Sequence, residues 1–393
     1  MDAPLLARLE LYFVRGLTMA LNWMLILLER VLFRRPPTNP TRIVVFKGGN
    51  IGDIACAVPT FIAVRRAYPK ATITLLTSPG NEGIPGAKEL LDGAWFIDEL
   101  WAYHSHDIDS LAKVFSMWKK LRSRKFDLFV HVPVHDWTKF RTIIRNMFFA
   151  YFSGTRSAVG FRVRTLINVF RKTQIDYTFG PTEVESLLSL MQESGIPVHT
   201  VEFDLPKRPE AEAVISNLFK EKWGESFPKN LIAFHTGSKR REKQWPPERF
   251  NAVAKYLVSK HNARIVVLGG PGDVADAHVV VQDIAPEHVL VLAGTLGILE
   301  TVEALRRILF LVSVDSGLMH LAGLLGKKTV SLFSILGVIG RWCPYGTGHR
   351  ALYHRFLSCR YDSPECVRAS MEAISVEETI AACERMIEQL RYD

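Results

Sequence analysis

Three short stretches of this 393-residue chain carry side chains suited to binding a phosphorylated ligand and moving a proton. The first is Val314-Asp315-Ser316-Gly317-Leu318-Met319-His320-Leu321, lying between the apolar run Ile308–Val312 and the helix-forming Ala322-Gly323-Leu324-Leu325. A strand that ends in Asp-Ser-Gly and opens a helix leaves unpaired backbone N–H groups at the helix N-terminus, a seat for phosphate. Ser316 is placed to cap that helix, and Gly317 lets a ligand approach the backbone closely. His320 either contacts the phosphate or is a helix histidine satisfied by its own neighbours.

The second stretch is His235-Thr236-Gly237-Ser238, followed by Lys239, Arg240, Arg241 and Lys243. Hydroxyls and cations together suit a diphosphate: Thr236 and Ser238 donate hydrogen bonds while Lys243 supplies charge. The competing reading is a solvated basic turn. Asp273, at the end of Gly269-Gly270-Pro271-Gly272, is either an acceptor for a ribose hydroxyl or an ordinary turn acid. The third stretch is Lys47-Gly48-Gly49-Asn50-Ile51-Gly52-Asp53. Gly48, Gly49 and Gly52 turn the backbone tightly, and Asp53 is the one carboxylate there, near the start of the next helix. The helix dipole favours its ionised form, which suits a general base taking a proton from a hydroxyl. An ordinary first-turn acid is the alternative. The loop is neither a Walker motif nor a strict GxGxxG, so it does not specify a nucleotide by itself.

Each stretch follows a predicted strand. Arg42–Phe46 is a short apolar strand with a helical segment through Arg66 behind it; Thr72–Thr77 and Phe126–Val130 are further strands. Asn230–Phe234 (strand), Pro247–His261 (helix), Arg264–Leu268, Val289–Leu292, Leu309–Val314 and Thr329–Phe333 (strands) repeat the alternation, and a helix near Val376–Leu390 closes the chain. Alternating strands and helices argue for parallel sheets covered on both faces. The expected organisation is a helix in residues 1–37, a Rossmann-like domain in 38–205, a second in 206–375, and a carboxy-terminal helix in 376–393.

The start of the chain is distinct. Gly16–Leu28 is uncharged but only 13 residues long, against the roughly 20 that a membrane span needs. Acidic Asp2 and Glu10 and the lack of a small-residue cleavage site argue against a signal peptide. Arg8, Arg15, Asn22 and Glu29 recur every seven residues as one polar stripe in an otherwise apolar segment, and Arg30, Arg34 and Arg35 follow. This amphipathic pattern suits a helix lying in a membrane interface through residues 5–35; the alternative is burial against the protein's own core or a partner subunit.

Bulk composition, 48% hydrophobic and 23% charged, is that of a folded protein. The net charge of +9 favours anionic partners. The charge is concentrated: Lys113–Lys172 holds fourteen Lys and Arg against Asp127 and Asp136, a net +12, so the remainder is slightly acidic. Aromatic residues interleave these cations, which suits an amphipathic anion; Lys139, Arg141, Arg145, Arg162 and Arg164 are the candidate acceptor-binding cations. No zinc finger, RNP or helix-turn-helix signature accompanies them, so nucleic acid is not expected. Five cysteines without a CxxC pair give neither a disulfide scaffold nor a trusted zinc pattern, and no HExxH occurs; ordinary thiols in a reducing compartment and no metal are the expectation.

Ile43–Pro59, His235–Ser238 with Lys243-Gln-Trp-Pro-Pro-Glu-Arg-Phe250, and Val314–Leu321 with Arg341-Trp-Cys-Pro-Tyr-Gly346 resemble, in order and spacing, the motifs of the heptosyltransferase family, glycosyltransferase family 9. The resemblance covers about residues 42–390. It implies an α/β, GT-B fold of two Rossmann-like domains with the active site in the cleft between them. It further implies metal-independent, inverting transfer of heptose from an ADP-sugar, with no cofactor, to a lipopolysaccharide-core-like or related anionic glycolipid at the cytoplasmic face of a bacterial inner membrane. Carried over by motif, Asp53 matches the general base, Ser238 and Lys243 the diphosphate binders, Asp273 a ribose-side acid, and Asp315, Ser316, Gly317 and His320 the sugar-diphosphate turn. The stretch His131–Trp137 and the apolar first 36 residues depart from the family pattern and point to a different lipid-linked or surface glycan. A catalytically lapsed relative that binds glycan or scaffolds an assembly is the runner-up; a Rossmann dehydrogenase is disfavoured because neither half carries a dinucleotide fingerprint.

Overall fold

The computed structural model describes residues 5–80, 85–134, 140–163, 181–224, 227–337, 339–354 and 363–392. The chain divides into two compact units: the first ends at Pro206 and the second begins at Lys207, with Pro181 and Thr182 grouped with the second. The sequence places this boundary between residues 205 and 206.

The first unit runs α1 (Leu5–Leu32), β1 (Arg42–Gly48), α2 (Ile51–Ala67), β2 (Thr72–Gly80), α3 (Ala87–Leu91), β3 (Glu99–His104), α4 (Leu111–Ser123), β4 (Leu128–His131), α5 (Phe140–Phe152), β5 (Ser157–Val159) and α6 (Glu183–Glu193). Its strands form one parallel sheet in the order β3-β2-β1-β4-β5. Parallel neighbours need crossover connections, and the helices that supply them cover both faces. Hence Ile43–Lys47 of β1 and Leu128–His131 of β4 are buried along their whole length. The chain winds from β1 to β3 on one side, then returns to the other side of β1 at β4. That reversal is the topological switch point, outside whose carboxyl edge such sheets bind ligands.

The second unit runs α7 (Pro209–Trp223), β6 (Leu231–His235), α8 (Pro247–His261), β7 (Arg264–Val267), α9 (Val274–Val280), β8 (Val289–Val291), α10 (Ile298–Arg307), β9 (Phe310–Val314), α11 (Gly317–Leu324), β10 (Lys328–Phe333), α12 (Ile339–Trp342), β11 (Arg350–Tyr353), α13 (Pro364–Glu372) and α14 (Val376–Gln389). All six strands are parallel, in the order β11-β10-β9-β6-β7-β8, and the switch point lies between β6 and β9. Phe234, Phe250, Val267, Val312 and Leu332 fill the core, which α14 closes through Ala382, Cys383 and Met386.

Helix α1 packs on the first unit. Leu25 is fully buried in the same core as Val44, Phe129, Met147 and Phe161. The two described members of the seven-residue polar stripe face inward. Asn22 donates to the Val163 carbonyl (2.9 Å) and accepts from the Val163 N–H (2.7 Å). Glu29 accepts from Arg162 at 2.7 Å, with both side chains largely buried. Large apolar side chains face outward instead, among them Trp23 and Val31. Among the described residues no helix is long and apolar enough to cross a membrane. Cys56, Cys343 and Cys383 are free thiols, whereas Cys366 is disulfide-bonded, a bond the cysteine spacing does not announce.

Candidate functional site

In the first unit, β1 ends at Gly48 and α2 begins at Ile51, so Gly49 and Asn50 make the whole turn at the switch point. Gly49 sits at φ +125, and a Cβ there would lie 2.6 Å from the Asp53 Cβ, so only glycine lets the carboxylate fold over the turn. Asp53 is the third residue of α2 and its carboxylate accepts the Asn50 N–H at 3.0 Å. That bond meets one of the unpaired donors of the helix start and orients the acid, leaving lone pairs over for a hydroxyl proton.

Beside Asp53 the edge is built from buried polar groups. Lys47 is fully buried and donates through Nζ to the Pro133 carbonyl at 3.0 Å, tying the end of β1 to the segment after β4. His131 ends β4 and stacks on Phe161 at 4.8 Å, almost parallel. Its Nδ1 lies 3.2 Å from the Gly160 carbonyl and its Nε2 lies 3.1 Å from the Asn146 amide nitrogen. Burial pushes its pKa down to about 4, and the Lys47 charge adds to the fall, so the ring is neutral at pH 7. A neutral Nδ1–H tautomer satisfies both contacts, donating to Gly160 and accepting from Asn146.

In the second unit, four chain segments meet the carboxyl edge around the switch point. After β6, His235 is buried with Nδ1 3.0 Å from the Leu268 carbonyl; burial lowers its pKa, opposed by that carbonyl and by Asp273. Thr236 follows, also buried, and its hydroxyl finds no hydrogen-bond partner among the described residues. After β7, Asp273 accepts the Gly270 N–H at 2.8 Å. Its carboxylate lies against the backbone of both Gly237 and Gly269, where any Cβ would collide with it. Ser238 is half-buried just beyond.

After β9, Asp315 holds Lys243 in an ion pair of 2.5 Å, with both side chains mostly shielded from solvent. Two residues after Lys243, Trp245 is buried, donates to the Ile374 carbonyl at 3.0 Å and packs edge-on against Phe250 at 4.9 Å, which anchors the segment in the core. Ser316 caps α11 by accepting the Met319 N–H at 3.4 Å. The N–H groups of Gly317 and Leu318 have no acceptor within the helix, and Asp315, which holds Lys243, directly precedes the cap. His320 is buried one turn on, its ring edge-on to Trp342 at 5.5 Å. Cys343 lies close enough to Asp315 that this charge, after burial, helps push its thiol up to about 11. A cation, an exposed helix start and an unsatisfied hydroxyl on one sheet edge are what a diphosphate requires.

The donor-side candidates Thr236, Ser238, Lys243, Asp273, Asp315, Ser316, Gly317 and His320 thus share one edge of one sheet, and Asp53 with Gly48, Gly49 and Gly52 occupies the equivalent edge of the other. The candidate acceptor cations divide. Arg141 and Arg145 are exposed on α5, Arg162 is clasped by Glu29, and Lys139 and Arg164 lie outside the described residues. Ser334, directly after β10, is a further buried hydroxyl on the donor edge without a partner among the described residues. Its only sequence signal is its place after an apolar strand. Among the described residues no group of three or more His, Cys, Asp or Glu is arranged to hold a metal ion.

Comparison with known families matches residues 114–355, more than half of the chain, to glycosyltransferase family 9 (heptosyltransferase). Among solved structures the chain is similar to the family 9 glycosyl transferase of Veillonella parvula, with TM-score 0.70 and 21% identity over 89% of this chain and 98% of that one. It is similar to the E. coli ADP-heptose lps heptosyltransferase II (TM-score 0.64, 17% identity, 89% and 100% covered). A third likeness is to the E. coli heptosyltransferase WaaC with ADP (TM-score 0.57, 17% identity, 89% and 100% covered). No curated protein matches the chain. These structural likenesses bear out the α/β, GT-B fold expected from the sequence.

Proposed function

The chain belongs to glycosyltransferase family 9, and we propose that it moves heptose from ADP-heptose, with inversion and without a metal, to a lipopolysaccharide core or a related anionic glycolipid. The observation that carries this reading is the Lys243–Asp315 pair beside the Ser316-capped start of α11. Asp315 holds the ammonium in place before ligand arrives, so little side-chain freedom is lost when a diphosphate binds. Support for the nucleotide sugar comes from two structural relatives, one an ADP-heptose lps heptosyltransferase and one solved with ADP.

The step that fits these residues is an in-line displacement. Asp53 takes the proton of an acceptor hydroxyl, whose oxygen forms the bond to the anomeric carbon. The anomeric carbon–oxygen bond to ADP breaks on the opposite face, and its electron pair stays on the β-phosphate oxygen. Lys243 and the N–H groups at the start of α11 stabilise that growing charge. Thr236 and Ser238 donate to the diphosphate, His320 contacts its distal end, and Asp273 accepts from a ribose hydroxyl. Arg141 and Arg145 on α5 supply charge for an anionic acceptor, at the cytoplasmic face of a bacterial inner membrane, with residues 5–35 at the lipid surface.

A thermal-shift series with ADP-heptose and with UDP- and GDP-sugars tests the donor assignment, because a ligand that binds only the folded state raises its stability by mass action. ADP-heptose is expected to give the largest shift and to label a heptose-deficient lipopolysaccharide core. Equal shifts for all three nucleotides would remove the heptose assignment.

A further inference from the structure

We propose that α1, α4 and α5 together form one docking surface for an anionic lipid bilayer, with α1 remaining folded onto its own domain while its outer face enters the lipid. The inference deepens the membrane location of the proposed function and rests on it.

The orientation of α1 is the first ground. Tyr12, Gly16, Met19, Trp23, Leu27 and Val31 are exposed and recur every three or four residues, the spacing of one helix face. The opposite face holds Leu25 and the two polar side chains, Asn22 and Glu29, that bind Val163 and Arg162. A helix facing only water would carry its polar residues outward. Here Trp23 is 62% and Val31 81% exposed while Glu29 is largely shielded. An exposed apolar face of this extent marks an interaction site.

The second ground is that the apolar surface continues past α1. Of nineteen large apolar side chains exposed among the described residues, seven lie on α1, three on α5 and two on α4, so twelve belong to three helices of one unit. Ring contacts link the residue after α1 to the other two helices: buried Phe33 meets Tyr151 at 6.3 Å, Tyr151 meets Phe152 at 5.5 Å, Phe152 meets Trp118 at 4.9 Å and Trp118 meets Phe115 at 5.2 Å. Phe115, Tyr151 and Phe152 remain 42% to 61% exposed after these contacts. Aromatic rings with one apolar and one wet end suit the head-group level of a bilayer.

Charge selects the occupant. Helices α4 and α5 carry Lys113, Lys119, Lys120, Arg122, Arg141 and Arg145 and no acidic residue. Arg30, Arg34 and Arg35 are exposed at the end of α1. A second copy of this chain would set these cations against one another, whereas anionic head groups neutralise them while the apolar faces enter the lipid.

The test is sedimentation of the full chain with vesicles of phosphatidylglycerol and phosphatidylethanolamine, and with neutral phosphatidylcholine. Binding to the anionic vesicles is expected to be at least tenfold tighter, and to weaken with added salt. W23S/L27S and F148S/F152S should each lower that binding about tenfold or more. The thermal melt should be unchanged in W23S/L27S, whose side chains lie mostly in water. It should be lowered but still cooperative in F148S/F152S, where the ring contacts of Phe152 with Trp118 and Tyr151 are lost. Absence of sedimentation with anionic vesicles, equal binding to both lipids, or full binding by both variant pairs would overturn the proposal. So would a dimer that W23S/L27S splits while vesicle binding is unchanged, since the face would then belong to a second copy. Transfer to a water-soluble acceptor oligosaccharide should be unchanged in both pairs. If the wild-type chain binds vesicles but performs no such transfer, the catalytic reading has failed and the docking surface has not.

Discussion

The switch points of the two sheets use the same topology for opposite chemistry. At the first, a glycine turn exposes a single carboxylate, and its neighbours Lys47 and His131 are withdrawn into the protein. At the second, a largely shielded cation is held by its carboxylate partner directly before a capped helix start. The parallel sheet fixes where a ligand can sit, and in the proposed reaction the loop residues decide whether the edge accepts a proton or stabilises a leaving anion. Fold alone would not separate these roles.

The largest expected effect breaks the first edge. Asp53→Asn keeps an oxygen for the Asn50 N–H, so the start of α2 should hold, but it cannot take a proton. Turnover should fall about 10³-fold with the melting temperature unchanged, as steady-state transfer and calorimetry will read. Next comes the second edge. Gly237→Ala drives a methyl into the Asp273 carboxylate, whereas Gly272 has open space around it. Donor affinity should fall about tenfold in the first variant, or about 1.4 kcal/mol, and stay level in Gly272→Ala. Equal losses would detach Asp273 from donor binding.

Acidification should sharpen the contrast, because the first edge depends on a neutral histidine. His131 titrates at about 4 in the fold against 6.5 ordinarily. Between those values the unfolded chain binds a proton that the folded chain refuses, so stability is full above pH 6.5 and falls as pH drops towards 4. At ~1.4 kcal/mol per pH unit, His131 alone accounts for a loss of roughly 3 kcal/mol across the window. Urea unfolding at pH 7 and pH 4.5 measures the loss, and an NMR titration showing the His131 ring protonated at pH 6.5 would refute its cause. The smallest effect is at α1: Asn22→Ala removes two hydrogen bonds to Val163 and should cost about 1 to 2 kcal/mol.

Both edges were legible because they follow strands buried on both faces, such as Ile43–Phe46 and Phe310–Val314, whose apolar runs (unbroken in the first, interrupted by Ser313 in the second) lead into glycine, serine and charge. The strands that escaped notice lie towards the sheet margins. Glu99–His104 and Arg350–Tyr353 are only half-buried and carry mixed residues, and Ser157–Val159 spans three residues. Sequence spacing placed Asn22 and Glu29 on one face of a helix but could not say which way that face turns. Their partners, Val163 and Arg162, lie 141 and 133 residues further along, and only the folded chain brings them together. The same distance hid the commitment of Arg162, which reads in sequence as one more surface cation. Thr236 could be found from its motif, whereas Ser334 has no motif and is visible only as a buried hydroxyl at a strand end.

The division of labour between the two edges can be read in one calorimetric titration of ADP into wild type, Asp53→Asn and Lys243→Met. The account predicts wild-type affinity in the Asp53 variant and a loss of about 30-fold or more in the Lys243 variant, where a charge-assisted contact is gone. ADP binding that survives the loss of Lys243, or that fails with Asp53, would contradict it.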